Sequence, residues 1–147
     1  MNMKGREYDI YCAGLFDGEG AIYMSGHKST STVVLSVTNT NKKLCQIFYD
    51  CWDGRLHQYQ QSNPNAQPIW RWFLHGKKAK VFLLAIQPYS IEKHPLIDLA
   101  LQYIETINNT GWRARGLTNS ILEDRKIISE NIYLLNSTKG KRTYHSL

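Results

Sequence analysis

The chain has 147 residues, of which 42% are hydrophobic and 20% charged, and its formal net charge is +6. This length and apolar content suit one domain over residues 1–147, in which we expect only the last few residues to be flexible. The longest aliphatic run, residues 81–86, is too short to cross a bilayer, which argues against a membrane protein. The first residues lack the apolar stretch of a secretion signal, so we expect an intracellular protein.

The cysteines and the positive charge narrow the choice of partners. Cys12, Cys45 and Cys51 form no Cys-x-x-Cys pair and are odd in number, which argues against a zinc site or a disulfide framework. We expect them to be reduced, buried and small hydrophobic residues. The net charge is compatible with a phosphate-backbone partner, because Lys and Arg near phosphates release condensed counterions. Positive charge alone is weak evidence for a nucleic-acid partner, since lysines also commonly lie on the solvated face of a helix.

Hydrophobic periodicity predicts a helix followed by a hairpin in the first part of the chain. Residues 21–27 and 32–38 alternate between apolar and polar side chains, which predicts two strands joined by a turn. Val33, Leu35 and Val37 form the core-facing row of the second strand. The opposite row is mostly polar, so one face of this hairpin is expected to meet solvent or a ligand.

The rest of the chain repeats this order and then becomes helical. The further elements are a helix over residues 42–52, strands over 55–61 and 69–75, and helices over 77–87, from Pro95 to Ile107, and from Ser120 onward. Asp53-Gly54 predicts the turn that opens the second hairpin. Pro88 predicts the end of the helix over residues 77–87. Ser120 and Glu123 have the spacing of a capping box, which places the start of the last helix.

The segment CAGLFDGEG, residues 12–20, is the most informative part of the chain. Ala13, Gly14 and Gly18 carry almost no side-chain volume, so a second helix can approach this one nearly backbone to backbone. If the partner is an identical helix, symmetry brings two copies of Glu19 together, which is costly unless cations lie between them. The ordinary alternative is a core helix that ends in an Asp-Gly-Glu-Gly turn.

This segment resembles the signature helix of the LAGLIDADG homing endonucleases. Cys12 stands in place of the first Leu, Phe16 of Ile, Gly18 of Ala and Glu19 of the second Asp. Asp17 and Glu19 point roughly 200° apart on a helix, because each residue turns about 100°, so only one of them can bind a given metal ion. The resemblance assigns that role to Glu19 and leaves Asp17 at the helix end or at an interface.

The order of predicted elements is also the layout of this family, so the resemblance spans almost the whole chain. It implies an α+β fold of αββαββα type, with helices on one face of a four-stranded antiparallel saddle whose polar face fits a DNA major groove. A single signature in 147 residues implies a homodimer on a pseudo-palindromic site. The residues expected at the dimer interface are Ala13, Gly14, Asp17 and Gly18.

The resemblance further implies a catalytic set drawn from separate parts of the chain. Glu19 is the expected metal-binding acid, and the carbonyl of Gly20 is a further ligand. Asn39 matches a position where relatives often hold Gln to order water, Lys43 a basic pocket position, and Lys93 the lysine beside the cleaved phosphate. Mg²⁺ is the expected cofactor, with Mn²⁺ or Ca²⁺ as substitutes, because it prefers oxygen ligands. Taken singly, these residues are also typical of a turn former and of solvated lysines.

Polar side chains of the strands are expected to read base edges, because they carry hydrogen-bonding groups. They are Tyr23, Ser25, His27, Thr32, Ser36, Thr38, His57, Tyr59, Gln61 and Arg71. Trp70 and Trp72 flank Arg71 and are expected in the core. Cations outside the strands are candidate phosphate contacts, namely Arg113, Arg115, Lys139, Lys141 and Arg142.

The predicted function is therefore a sequence-specific, Mg²⁺-dependent DNA endonuclease of the intron-encoded type, in the cytoplasm of a microbial or phage-infected cell or in an organelle. One alternative keeps the fold without the cutting, as a splicing cofactor for intron RNA or a DNA-binding regulator. Another is an unrelated small α/β binding module. Binding of target DNA without nicks would favour the first alternative, and a monomer in gel filtration the second.

Overall fold

The structure, a computed structural model, describes residues 5–26, 31–110 and 118–139. The helices and strands in these ranges are α1 (Arg6–Glu19), β1 (Gly20–Ser25), β2 (Thr32–Asn39), α2 (Lys42–Trp52), β3 (Arg55–Tyr59), β4 (Ile69–His75), α3 (Lys77–Ile86), α4 (His94–Thr110) and α5 (Asn119–Lys139). A short 3₁₀ turn, Gln87–Tyr89, follows α3 directly. The predicted α+β order of elements is confirmed.

The four strands form one antiparallel sheet in the order β1-β2-β4-β3. Leu35 at the centre of β2 pairs with Ile22 on one side and with Leu74 on the other. Paired residues share a face of the sheet, so these three side chains lie in one row, and all are at most 1% exposed. Val33 and Val37 belong to the same face and are also buried. Val34 and Ser36 on the opposite face are 9% and 7% exposed, so the pairing register rather than burial separates the two faces of β2.

The core fills the space between this apolar face and the helices. Phe16 of α1, Phe48 of α2, Phe82 of α3 and Trp72 of β4 are each fully buried. The rings of Phe48 and Phe82 lie 5.0 and 5.4 Å from the ring of Trp72, within the usual range for packed aromatic pairs. Ile132 of α5 joins the same cluster. Within the described ranges, no helix is long and apolar enough to pass through a membrane.

The start of the last helix differs from the prediction. α5 begins at Asn119, and the hydroxyl of Thr118 accepts the backbone N–H of Ile121 at 3.3 Å. A side-chain oxygen in this position satisfies one of the backbone donors that the first helical turn leaves without a partner. Ser120 lies inside that turn, so the predicted capping box of Ser120 and Glu123 is wrong.

The cysteines are reduced, but only two of them belong to the core. Cys12 and Cys45 are fully buried, whereas Cys51 is exposed. Cys51 lies six positions after Cys45, which places it roughly 240° around the α2 axis from the buried face. The expectation that all three thiols are buried is therefore wrong for Cys51.

Thiol alkylation tests this assignment. Burial raises the pKa of Cys12 to about 11, and it raises the pKa of Cys45 and of Cys51 as well, so exposure is what distinguishes Cys51 from the two buried thiols. Because the thiolate is the reactive form, iodoacetamide at neutral pH should modify Cys51 first and spare the other two in the folded protein. Peptide mass spectrometry with and without urea measures this order, and rapid labelling of Cys12 in the folded protein would contradict it.

Candidate nucleic-acid interface and metal site

The face of the sheet away from the core carries polar, aromatic and basic side chains. Thr38, Arg71 and His57 pair across β2, β4 and β3 and form one row on this open face. Tyr59 follows His57 two residues later on the same face. Neither Asp nor Glu occurs in any of the four described strands. A polyanion therefore meets no negative charge from the strands themselves.

Arg71 is a fixed cation on this open face. Its Nε donates a hydrogen bond to Thr38 Oγ1 at 3.0 Å. Its guanidinium carbon lies 5.3 Å from the ring centroid of Tyr59 and 5.6 Å from that of Phe73. Cation–π contacts on this scale hold a guanidinium in position. A planar, preorganised guanidinium is the group best suited to a bidentate hydrogen bond with guanine.

Most of the predicted base-reading residues lie on the open face, namely Tyr23, Ser25, Thr32, Ser36, Thr38, His57, Tyr59 and Arg71. Ser36, which pairs with Ala21 on one side and Phe73 on the other, is only 7% exposed. Gln61 is not on the face, since β3 ends at Tyr59 and the Gln61 amide donates to the carbonyl of Gln67 at 2.9 Å. The predicted strand position of Gln61 is wrong, since this residue lies in the β3–β4 loop and its side chain ties that loop together. A DNA contact from Gln61 stays a prediction.

Arg55 is a basic residue of the open face that was not predicted. Arg55 begins β3 and pairs with Phe73 of β4, two positions along from the row of His57 and Arg71. The same alternation that placed His57 outward also places Arg55 outward, so the sequence carried this signal. The predicted contacts that lie outside the described residues are His27, Arg113, Arg115, Lys141 and Arg142, and the side chain of Lys139 at the end of α5.

Helix α1 passes directly into β1, and this junction places Glu19 at one end of the sheet. Gly20 begins β1 opposite Val37, and its N–H donates to the carbonyl of Phe16. A Cβ on Gly20 would lie 2.3 to 2.6 Å from three atoms of the Phe16 ring, so only glycine permits this close approach. Glu19 is exposed, and its charge adds to burial in raising the pKa of Cys45.

The junction offers a cation hard oxygen donors. The exposed carboxylate of Glu19 and the backbone carbonyl of Gly20 are ligand types that Mg²⁺ and Ca²⁺ prefer. Across the part of the chain that the structure describes, no cluster of three or more His, Cys, Asp or Glu could hold a metal ion. Glu19 is therefore a single candidate carboxylate ligand at this junction.

Asn39 and Lys43 lie on either side of the start of α2. Asn39 ends β2, and its Oδ1 accepts the N–H of Asn41 at 2.8 Å, so its oxygen shapes the turn. Lys43 donates its N–H to the Asn41 side chain at 3.0 Å, and its exposed side chain lines a groove of about 680 Å³ together with Asp9 and Trp52. Asn39 therefore lies at the same sheet end as Glu19, whereas Lys43 faces the groove beside α1.

Lys93 is buried against the carboxyl end of α1. Its side chain is 6% exposed, and its Nζ donates to the carbonyl of Asp17 at 2.7 Å. The ammonium also lies 5.9 Å from the ring centroid of Phe16. A helix carries partial negative charge at this end, which favours a cation there. The structure thus brings the Lys93 charge to the last turn of α1, two residues before Glu19.

The side chain of Asp17 points to the segment that precedes α4. Ser90 Oγ and the N–H of Lys93, at 3.1 Å, donate to its Oδ1. The N–H groups of Ile91 and Glu92 donate to its Oδ2 at 2.7 and 3.3 Å. Burial raises the pKa of Asp17, but these hydrogen bonds outweigh it and hold the pKa below its ordinary value. Asp17 therefore makes contacts within its own chain that the sequence pattern did not predict.

The outer face of α1 has open space beside its glycines. Gly14 and Gly18 lie about one turn apart, and a Cβ on either would meet no atom within 4 Å. Ile10, about one turn before Gly14, is 46% exposed. Ala13 is fully buried, because one helical step of about 100° turns it toward the core. The prediction of Ala13 as an interface residue is therefore wrong, while Gly14 and Gly18 present surface.

Comparison with solved structures identifies homing endonucleases as similar in fold. I-CvuI, in complex with its target in the presence of Ca, matches with a TM-score of 0.70 and 18% identity over 88% of this chain and 82% of its own. The archaeal intron-encoded I-Vdi141I, complexed with DNA, matches with a TM-score of 0.71 and 16% identity over 93% of this chain and 88% of its own. The LAGLIDADG homing endonuclease I-GzeII, in complex with its DNA target, matches with a TM-score of 0.67 and 13% identity over 92% of this chain and 49% of its own.

The likeness is one of architecture rather than of close sequence. No protein-family sequence profile and no curated protein sequence matches the chain. The agreement nevertheless extends over most of the chain in each of the three structures above. The chain has the fold of the LAGLIDADG homing endonucleases, as the resemblance of its α1 segment implied.

The tight α1–β1 junction can be tested through Gly20. Gly20→Ala should lower the free energy of unfolding by about 1–3 kcal/mol, because the added methyl group must displace the Phe16 ring. Urea denaturation followed by circular dichroism measures the change. Ser25→Thr is the matched control, since it adds one methyl group at an exposed position of the same strand. Equal stability of Gly20→Ala and wild type would refute the packing described for this junction.

Proposed function

We propose that this chain is a sequence-specific DNA endonuclease that acts as a homodimer and cuts both strands of a long, nearly palindromic site. The observation that carries the proposal is the α1–β1 junction, where the exposed Glu19 meets one end of a sheet whose described strands contain no acid. The fold shared with DNA-bound homing endonucleases supports the same substrate class. We further propose an intron-encoded protein, as I-Vdi141I is, that acts inside a cell or organelle.

The open face of the sheet is proposed to lie in the major groove. Arg71 offers its guanidinium to a guanine, while Thr38 and Tyr59 hold that guanidinium in place. Lys42, whose ammonium lies 4.6 Å above the ring of Trp70, is a candidate phosphate contact at the Glu19 end of the sheet. Phosphate contacts of this kind fix the position on the duplex, and base contacts supply the specificity.

Cutting two strands requires two sites, and each chain supplies one signature helix and one sheet in the described structure. Gly14 and Gly18 leave room for the α1 helix of a second copy to cross closely. A two-fold axis at this crossing brings the two Glu19 carboxylates toward each other and places the two sheets on successive half-sites. The glycines of α1 are therefore proposed as the dimer interface.

The proposed chemistry is metal-assisted hydrolysis of a phosphodiester bond. Glu19 and the Gly20 carbonyl would hold Mg²⁺, with Mn²⁺ or Ca²⁺ as substitutes, and the bound cation supplies charge stabilisation and a more acidic water. Solved I-CvuI complexes contain DNA in the presence of Ca or Mg, which is consistent with this donor set. Asn39 would orient water, and Lys93 would offset the charge that builds on the phosphate, with Lys43 as a further basic group.

The role of Glu19 can be separated from DNA binding. Glu19→Gln should abolish cleavage in Mg²⁺ while sparing affinity, because it removes the ligand charge without changing side-chain shape. Sites selected from a randomised duplex library supply the substrate, and nicking and gel-shift assays measure the two properties. Glu123→Gln on α5 is a matched control that should cut normally. Cutting by Glu19→Gln at the wild-type rate would refute the role of Glu19.

The same library distinguishes the alternative function. A wild-type chain that binds DNA or its intron RNA but makes no nicks in Mg²⁺ would favour a splicing cofactor or a DNA-binding regulator. The exposed carboxylate at Glu19 favours the nuclease, because neither alternative function requires a metal ligand at the end of α1.

The dimer interface can be tested at Gly14. Gly14→Leu should shift the protein toward monomer, because the open space beside Gly14 would no longer admit a second helix. Analytical ultracentrifugation measures the shift in association constant, which we expect to be about 100-fold or more for a steric block worth about 3 kcal/mol. Asn131→Leu adds the same side chain at an exposed position of α5 and should leave association unchanged. A Gly14→Leu protein that still dimerises as wild type would contradict this interface.

A further inference from the structure

Asp17 and Lys93 are joined by contacts that run in both directions between α1 and the segment before α4. The Asp17 carboxylate accepts hydrogen bonds from Ser90, Ile91, Glu92 and Lys93. In the opposite direction, the Lys93 ammonium donates to the backbone carbonyl of Asp17 at 2.7 Å. These contacts close a ring between helix and segment, which we call the Asp17 clamp.

The clamp determines where the Lys93 charge lies. The side chain of Ile91 is 86% exposed and Glu92 is also exposed, so burial contributes little to holding the middle of the segment. Its backbone N–H groups instead converge on one carboxylate. Hydrogen bonds to a charged acceptor are worth more than neutral ones, so Asp17 is a strong anchor for this segment. Lys93, 6% exposed, is thereby kept at the last turn of α1, on the carbonyl of Asp17 two residues before Glu19.

We propose that Asp17 is a positioning residue that holds Lys93 at the cleavage site, rather than a contact between the two subunits. This inference rests on the proposed nuclease function. The first acid of the α1 signature would then orient the catalytic cation, and the second would bind the metal ion. The two acids divide the work because the helix points them in different directions, one into the chain and one to solvent.

The clamp can be weakened without changing Asp17 or Lys93. Ile91→Pro removes the N–H that donates to Asp17 at 2.7 Å, and the exposed Ile91 side chain makes its loss tolerable. Ser90 has φ −80° and ψ 138°, a conformation favoured before proline. Ile91→Ala is the matched control, because it removes the same side chain and keeps the N–H. Asp17→Asn and Lys93→Met test the two ends of the clamp directly.

Two measurements on library-selected duplex DNA, affinity and cleavage rate, decide the proposal, together with a melting curve that shows each variant is folded. Affinity in Ca²⁺ should change less than about threefold in every variant, because the clamp is not a DNA-reading surface. Single-turnover cleavage at saturating protein in Mg²⁺ should fall about 100-fold in Asp17→Asn and about tenfold in Ile91→Pro, since small displacements of a catalytic group have costs of this order. Ile91→Ala should cut as wild type.

The double variant separates positioning from general stability. Adding Lys93→Met to Asp17→Asn should cost less than about threefold more, because the lysine is already out of place. Losses that multiply, or an Asp17→Asn or Ile91→Pro protein that cuts at the wild-type rate, would overturn the positioning role. If Asp17→Asn does not fold, the cleavage rate of Ile91→Pro compared with that of Ile91→Ala tests the proposal by itself. A wild-type chain that cuts no library member refutes the proposed nuclease function itself. A wild-type chain that cuts, with Asp17→Asn cutting equally fast, refutes only the positioning role of Asp17.

Discussion

The direct passage of α1 into β1 is the constraint on which the rest of this structure depends. Gly20 begins the strand with the Phe16 ring packed where a side chain would otherwise lie, so no flexible loop separates helix from sheet. The exposed Glu19 is consequently fixed at one end of the sheet. The open outer face beside Gly14 and Gly18 runs along the same helix. One rigid element thus joins a surface suited to a second copy with a carboxylate suited to a metal ion.

The electrostatics of the chain follow this geometry. The described strands contain no acid, and Arg71 is held on their open face by a hydroxyl and two aromatic rings. The exposed carboxylate of Glu19 lies at the edge of this face, while that of Asp17 is satisfied within the chain. Lys93 is stabilised by the carbonyl end of α1. Negative charge is thereby removed from the surface that would meet DNA, except where a cation is needed.

Local periodicity was sufficient to predict the sheet and much of the site. Alternation through Val33, Leu35 and Val37 predicted which residues of β2 face the core. The same rule predicted that Arg71, between two tryptophans, lies on the opposite face of the sheet. Sequence could not show the hydrogen bonds of Asp17, because their partners lie more than 70 positions away and the helix pattern gives no sign of them. The burial of Ala13 was equally hidden, since small residues suit a tight core and a close interface alike.

The central claim is that two α1 helices meet across a two-fold axis and deliver their acids to shared cations over DNA. A crystal structure of the chain on its target duplex, grown with Mn²⁺ and phased with manganese anomalous diffraction, tests it most directly. The account predicts helices that cross at Gly14 and Gly18, with Mn²⁺ about 2.0–2.6 Å from a carboxylate oxygen of Glu19 in each chain. Helices that lie apart, or Mn²⁺ bound away from Glu19, would contradict it.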